Sequence, residues 1–187
     1  MKKHSELAKT VSEEIRTSLS QVDDQQIEKL VQEIVQAKKI FVAGAGRSGL
    51  MIKAFAMRLM HMGLDVYVVS EIVTPSFQEN DLLIIASGSG ETGSLVSMAN
   101  KIEKLKGRLA LLTIHEESSI GKLADCIVKI PGATPKSALE DTIVSIQPMG
   151  SLFEQSLLLV MDTSIMMVME KLDINAEEMF KKHANLE

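Results

Sequence analysis

Five short segments of this chain are apolar on consecutive residues rather than on alternate ones: KIFVA (39–43), VYVVS (66–70), DLLIIAS (81–87), LALLTI (109–114) and CIVKI (126–130). Successive side chains of a strand point to opposite faces, so a strand with one wet face alternates apolar and polar residues. Continuously apolar strands need cover on both faces, which is the pattern of a parallel sheet. Segments of helical character separate them. LMIKAFAMRLMHM follows the first strand, SLVSMANKIEKLK follows the third and is stopped by Gly107, and a short helix is expected around SSIGKLA. This alternation predicts a three-layer αβα sandwich with a five-stranded parallel sheet. The common strand order of such a doubly wound sheet, flavodoxin-like, is 2-1-3-4-5.

The flanks are helical. Residues 5–20 read as one helix. Asp23 or Asp24 can cap the next, DQQIEKLVQEIVQAKK, in which Ile27, Leu30, Val31, Ile34 and Val35 share one face. Residues 131–147 carry Pro131, Pro135 and mixed polarity, so a long irregular loop is expected there, with room for a short helix. Pro148 suits a first helical position. The following MGSLFEQSLLLVMDTSIMMVMEKL reads as one long helix that is apolar on nearly all sides, so burial against more than its own sheet is expected. Asp162 and polar neighbours interrupt it, which argues against a membrane span of about 20 residues. A short helix from Ala176 precedes the terminal HANLE.

A chain of 187 residues suits one compact domain. Its net charge of −5, with no basic run, argues against a nucleic-acid partner. MKKHSELAKTVSEE has no apolar signal core, so the expected location is cytoplasmic. Cys126 is the only cysteine and reads as a small core hydrophobe on the fifth strand. No His, Cys and carboxylate cluster has metal-ligand spacing, and no metal or other cofactor is expected.

Two of the strands end in glycine loops, GAGRSG (44–49) and SGSGET (87–92). The first is formally G-x-G-x-x-G, and Glu71 follows at the distance a dinucleotide site would use. So short a chain leaves little for the second substrate such an enzyme needs. In the order 2-1-3-4-5 the switch point lies between strands one and three, so the two glycine loops should face one crevice. Each opens a helix, whose free N–H groups and positive dipole end favour an anion. Ser48, Ser87, Ser89 and Thr92 add hydroxyl donors, and Gly46, Gly88 and Gly90 let the backbone come close. That is a cradle for one phosphate monoester. The plainer reading is helix capping, but one cap needs only one hydroxyl. Glu91 is expected to point away from a phosphate or to touch a sugar hydroxyl. Arg47 is a charge partner for the ligand or for a carboxylate, or a surface arginine. His115 lies where it could line the crevice rim, and His4 reads as surface.

These loops resemble the sugar isomerase (SIS) domain, whose phosphosugar loop reads Ser-x-Ser-Gly-Glu-Thr, here Ser87 to Thr92. Together with AGAGRSG, FAMRLMHMG, QPMGSLFEQ and HANLE they make the chain similar to the 6-phospho-3-hexuloisomerase family from about residue 25 to its last residue. The resemblance implies a single SIS domain over residues 1–187, with N-terminal helices at about 5–37 and a long helix at about 148–171 used in assembly. It implies the interconversion of D-arabino-3-hexulose 6-phosphate and D-fructose 6-phosphate through an enediol, without a cofactor. It points to Glu154 as the base, a carboxylate set among apolar neighbours near a helix N-terminus. His61 and His183 are the further candidates, as proton donor to the sugar oxygen or as openers of the cyclic form, in their own or a neighbouring subunit. It also implies a homotetramer and a functional pairing with 3-hexulose-6-phosphate synthase, in the ribulose monophosphate pathway of formaldehyde fixation. The alternative is another sugar-phosphate-binding SIS protein, either a sensor or an isomerase of a different phosphosugar. A transcription regulator would need a DNA-reading domain, for which there is no room.

Overall fold

The five apolar segments form one sheet of parallel strands in the order β2-β1-β3-β4-β5. The strands are β1 (Ile40–Gly44), β2 (Val66–Val68), β3 (Leu82–Ala86), β4 (Arg108–Thr113) and β5 (Cys126–Lys129) in a computed structural model that describes residues 3–133 and 143–186. Of the loop expected over residues 131–147, residues 134–142 lie outside the described part. The helices are α1 (His4–Leu19), α2 (Asp24–Gln36), α3 (Gly46–His61), α4 (Gly93–Lys104), α5 (Ser151–Leu172) and α6 (Ala176–Phe180). The short helix expected around SSIGKLA is one 3₁₀ turn, Gly121–Leu123.

Strand pleating divides the apolar side chains between two cores. Ile40, Val42, Leu82, Ile84, Ala86, Leu112 and Val128 pack under α2, α3 and α5. Phe41, Ala43, Leu83, Ile85, Leu109 and Leu111 pack on the opposite side against Leu95, Ala99 and Ile102 of α4. Each fully buried large side chain contributes roughly 1.5–3 kcal/mol relative to exposure. Asp23 is the cap of α2, accepting from the Gln25 N–H at 2.8 Å. The buried face of that helix is Ile27, Leu30, Val31 and Ile34.

Helix α5 has 22 residues and is long and apolar enough, by length and composition alone, to cross a membrane. Its apolar character has a second use here. Phe153, Leu157, Val160, Met161, Ile165 and Val168 belong to the core shared with α2 and α3, and half of the stretch is buried. The helix begins at Ser151, three residues later than the sequence suggested. Met149 has a left-handed φ of 59°, which no α-helix accommodates, so Pro148 serves a turn instead of a first helical turn. Glu154 therefore stands in the first turn of α5. Asp173, with φ 54°, closes the other end.

The register decides where the chemistry sits. Gly44 at the end of β1 pairs with Ala86 at the end of β3. Both glycine loops thus leave the sheet side by side, at the same level.

Candidate active site

The two loops border one cleft of about 400 Å³. Its walls include Gly46, Arg47 and Ser48 from the first loop, Ser87, Gly88, Ser89 and Thr92 from the second, and Met149, Gly150, Phe153 and Glu154 from the start of α5.

The helices that leave the loops are not capped by side chains. Ala45 stands at the N-cap of α3 and Thr92 at the N-cap of α4, and neither makes a capping hydrogen bond. Two helix N-termini therefore present first-turn N–H groups beside one cleft, an arrangement that attracts an anion. The serines shape the second loop. Ser87 Oγ accepts from the Gly90 N–H at 3.1 Å, and Ser89 Oγ accepts from the Glu91 N–H at 3.2 Å. Both hydroxyls act as acceptors in these bonds, which leaves their protons free to donate.

Two glycine positions are sterically fixed. A Cβ on Gly49 would lie 2.8 Å from the Gly44 carbonyl oxygen, so α3 can start this close to β1 only without a side chain there. Gly90 has φ 63°, and a Cβ on it would lie 2.0 Å from Ser118 Oγ. The G-x-G-x-x-G spacing thus serves strand–helix approach. Glu71, the acidic residue that a dinucleotide reading would use, pairs with Lys53 at 3.0 Å.

Arg47 is a partner for a carboxylate. Its Nη1 donates to Glu154 Oε2 at 2.9 Å and to Ser151 Oγ at 2.9 Å, which ties the start of α3 to the first turn of α5. The Arg47 side chain is 47% exposed and that of Glu154 16%. So exposed a pair adds little stability, and its effect is to aim the carboxylate.

Glu91 and Gly90 do not line the cleft. Glu91 turns away and accepts from the Ser119 N–H at 2.7 Å. Hydrogen bonding from Ser119, side chain first and then backbone, holds its carboxyl below the usual range, against burial and with help from Lys122. It therefore ties the second glycine loop to the turn after β4. His115 is also outside the cleft lining. Its Nε2 is buried without a partner, and burial, then Lys129, pushes its proton affinity down. Cys126 is 1% exposed, and burial pushes its thiol up to about 11.

His61 and His183 are brought together, but elsewhere. Their rings stack with centroids 5.4 Å apart, in a second pocket with Arg58, Asp162, Met166 and Phe180. Burial first, then Arg58 and His183, holds His61 below the ordinary histidine value. His61 ends α3 and Gly46 begins it, so the two are about 22 Å apart along the axis at the standard rise. The histidines of one copy cannot touch a small molecule seated in that copy's glycine-loop cleft. Met149, Gly150, Ser151 and Phe153 were not singled out from sequence. They lie in the MGSLFEQ motif, which was the available signal.

Paired helix N-termini and glycine loops beside one carboxylate define an α/β domain whose cleft suits an anion. The chain belongs to the SIS domain family, whose model matches residues 33–159. It is 50% identical over 185 residues to 3-hexulose-6-phosphate isomerase of Bacillus subtilis (strain 168), covering 99% of this chain and 100% of that one. The protein of the same name from Mycobacterium gastri is 41% identical over 177 residues, covering 95% and 88%. A crystal structure from Methanococcus jannaschii, with an inferred function of 3-hexulose-6-phosphate isomerase, superposes with a TM-score of 0.83 at 34% identity, covering 97% of this chain and 99% of that one. Kinship of this extent makes the chain an enzyme of the isomerase class.

Proposed function

We propose that the protein interconverts D-arabino-3-hexulose 6-phosphate and D-fructose 6-phosphate. The observation that carries this reading is Glu154, the one carboxylate among the described residues lining the cleft, beside two helix N-termini without side-chain caps. The phosphate sits on the glycine loops, held by Ser48, Ser87, Ser89, Thr92 and backbone N–H groups. Glu154 takes the proton from C2 of the 3-ketose. The C2–H electrons form the C2–C3 double bond, the C3 carbonyl oxygen gains a proton, and an enediol results. Glu154 then returns the proton to C3 while the C2 hydroxyl loses its own and becomes the carbonyl. Nothing is oxidised or reduced overall. Arg47 keeps the carboxylate aimed at the carbon chain.

His61 and His183 enter as the proton donor to oxygen or the ring-opening group of a neighbouring copy. The protein is then a homotetramer in which α5 takes part in assembly. Exposed Met166 and Phe180, which line the pocket of the histidine pair, support that reading. Sedimentation at micromolar concentration is expected to give a tetramer, and a monomer would refute the assembly. We place the enzyme in the cytoplasm, after 3-hexulose-6-phosphate synthase in the ribulose monophosphate pathway of formaldehyde fixation.

Two measurements test the site. Ser89→Ala and Thr92→Val each remove a hydrogen bond to a charged group, worth about 1.5–3 kcal/mol, so affinity for inorganic phosphate as a competitor should fall roughly 10- to 150-fold. Unchanged inhibition in both variants would rule out the cradle. Fructose 6-phosphate incubated with the protein in D₂O should gain deuterium at C3. Deuterium at C1 instead would reveal an isomerase that makes an aldose.

A further inference from the structure

The residues 145–147 that lead into α5 are held from an unexpected side, by the N-terminal helix. Glu14 of α1 is half-buried, and its carboxylate accepts three hydrogen bonds from this stretch. Ser145 Oγ donates to Oε2 at 2.6 Å, the Ile146 N–H to Oε1 at 2.9 Å, and Gln147 Nε2 to Oε2 at 3.0 Å. The Ser145 hydroxyl also accepts from the Gln147 N–H at 3.0 Å. One turn further along α1, buried Ser18 donates to the Pro131 carbonyl oxygen, at the exit of β5. Helix α1 thus grips the chain both where it leaves the sheet and where it returns towards the cleft.

The path from Glu14 to the cleft is short. Pro148 follows Gln147 directly, and its carbonyl accepts from the Ser151 N–H at 3.2 Å. Met149, in its left-handed conformation, and Gly150 line the cleft, and the Gly150 carbonyl accepts from the Glu154 N–H at 3.0 Å. Burial alone would push the Glu14 carboxyl up. The three donors, Ser145 foremost, outweigh it and hold the group below the usual glutamate range, in its fully accepting form. Hydrogen bonds to a charged acceptor are stronger and more directional than neutral ones. Helix α1 lies outside the part of the chain that matches the SIS family model, residues 33–159.

We propose that Glu14 is a positioning residue: by accepting from Ser145, Ile146 and Gln147 it fixes the first turn of α5, and through that turn the aim of Glu154. The catalytic half of this inference rests on the proposed isomerase reaction; the structural half does not. Glu14→Ala removes the acceptor of all three hydrogen bonds. Ser145→Ala removes the shortest bond alone and serves as a milder second variant.

Two measurements on the full-length protein, wild type beside each variant, test it. Amide hydrogen exchange of residues 145–154 is expected to rise at least about fivefold in Glu14→Ala, with residues 82–95 unchanged. In turnover of 3-hexulose 6-phosphate, kcat should fall about tenfold or more, while KM and inhibition by inorganic phosphate stay within about twofold. Ser145→Ala should shift both readouts in the same direction, by less. Unchanged exchange in 145–154 overturns the proposal, as does raised exchange with wild-type kcat. A loss confined to KM and phosphate inhibition overturns it too, since it would assign Glu14 to the cradle. A wild-type protein inactive on this sugar would defeat the proposed reaction, while the exchange data would still decide whether Glu14 holds the turn.

Discussion

Replacing Glu154 by glutamine is expected to cut turnover by at least about 10², because general-base assistance is typically worth 10²–10⁴. Glutamine keeps the size of the side chain and an oxygen that can accept from Arg47, now 2.9 Å away. It loses only the charge that takes a proton. The fold should survive, since Arg47 is half exposed and is not left as a buried unpaired charge. Phosphate inhibition should be unchanged, because the glycine loops belong to α3 and α4. The variant should also fail to introduce solvent deuterium into the carbon beside the carbonyl, a reaction that needs proton abstraction alone. Exchange at the wild-type rate would move the base elsewhere, and His183 or His61 would be tested next.

A large stability effect is expected at Gly90. Alanine there would hold a left-handed φ, which costs an L-residue roughly 1–2 kcal/mol. Its Cβ would also lie 2.0 Å from Ser118 Oγ and 2.4 Å from Ser118 Cβ. Ser118 is 5% exposed, and its hydroxyl accepts from the Gly121 N–H at 3.2 Å, so it cannot swing aside freely. Overpacking of that kind costs about 1–3 kcal/mol. Together these terms lower the melting temperature by about 4–20 °C for a domain of this size. The displaced backbone should also weaken phosphate inhibition. A Gly90→Ala protein with wild-type melting and wild-type inhibition would show that the loop is not held as described. The neighbouring Gly46 offers a control: a Cβ there meets nothing within 4 Å, so Gly46→Ala should strain the backbone without a clash.

What was legible in the sequence was local. The strands announce themselves by unbroken apolar runs, and the order 2-1-3-4-5 is the common one for a five-stranded doubly wound sheet. The meeting of the two glycine loops follows in turn from that order. The cap of α2 is readable because Asp23 sits next to the residues it serves. Four features were not readable in this way. The start of α5 depends on Met149 taking a left-handed φ, an unfavourable state for a methionine that no local pattern signals. Arg47 meets Glu154 across 107 positions of sequence, and Glu14 meets Ser145 across 131. Such contacts exist only after the sheet has set the distance between helices. The pairing of His61 with His183 belongs to the same class, because it needs the end of α3 and the segment after α6 to meet in space.

The most direct test of the proposed chemistry is the reaction itself. Purified protein, without added metal or nucleotide, should convert enzymatically prepared 3-hexulose 6-phosphate to fructose 6-phosphate, and Glu154→Gln protein at the same concentration should do so at least about 10²-fold more slowly. No fructose 6-phosphate from the wild-type protein, or equal rates from both, would contradict the reaction proposed for this cleft.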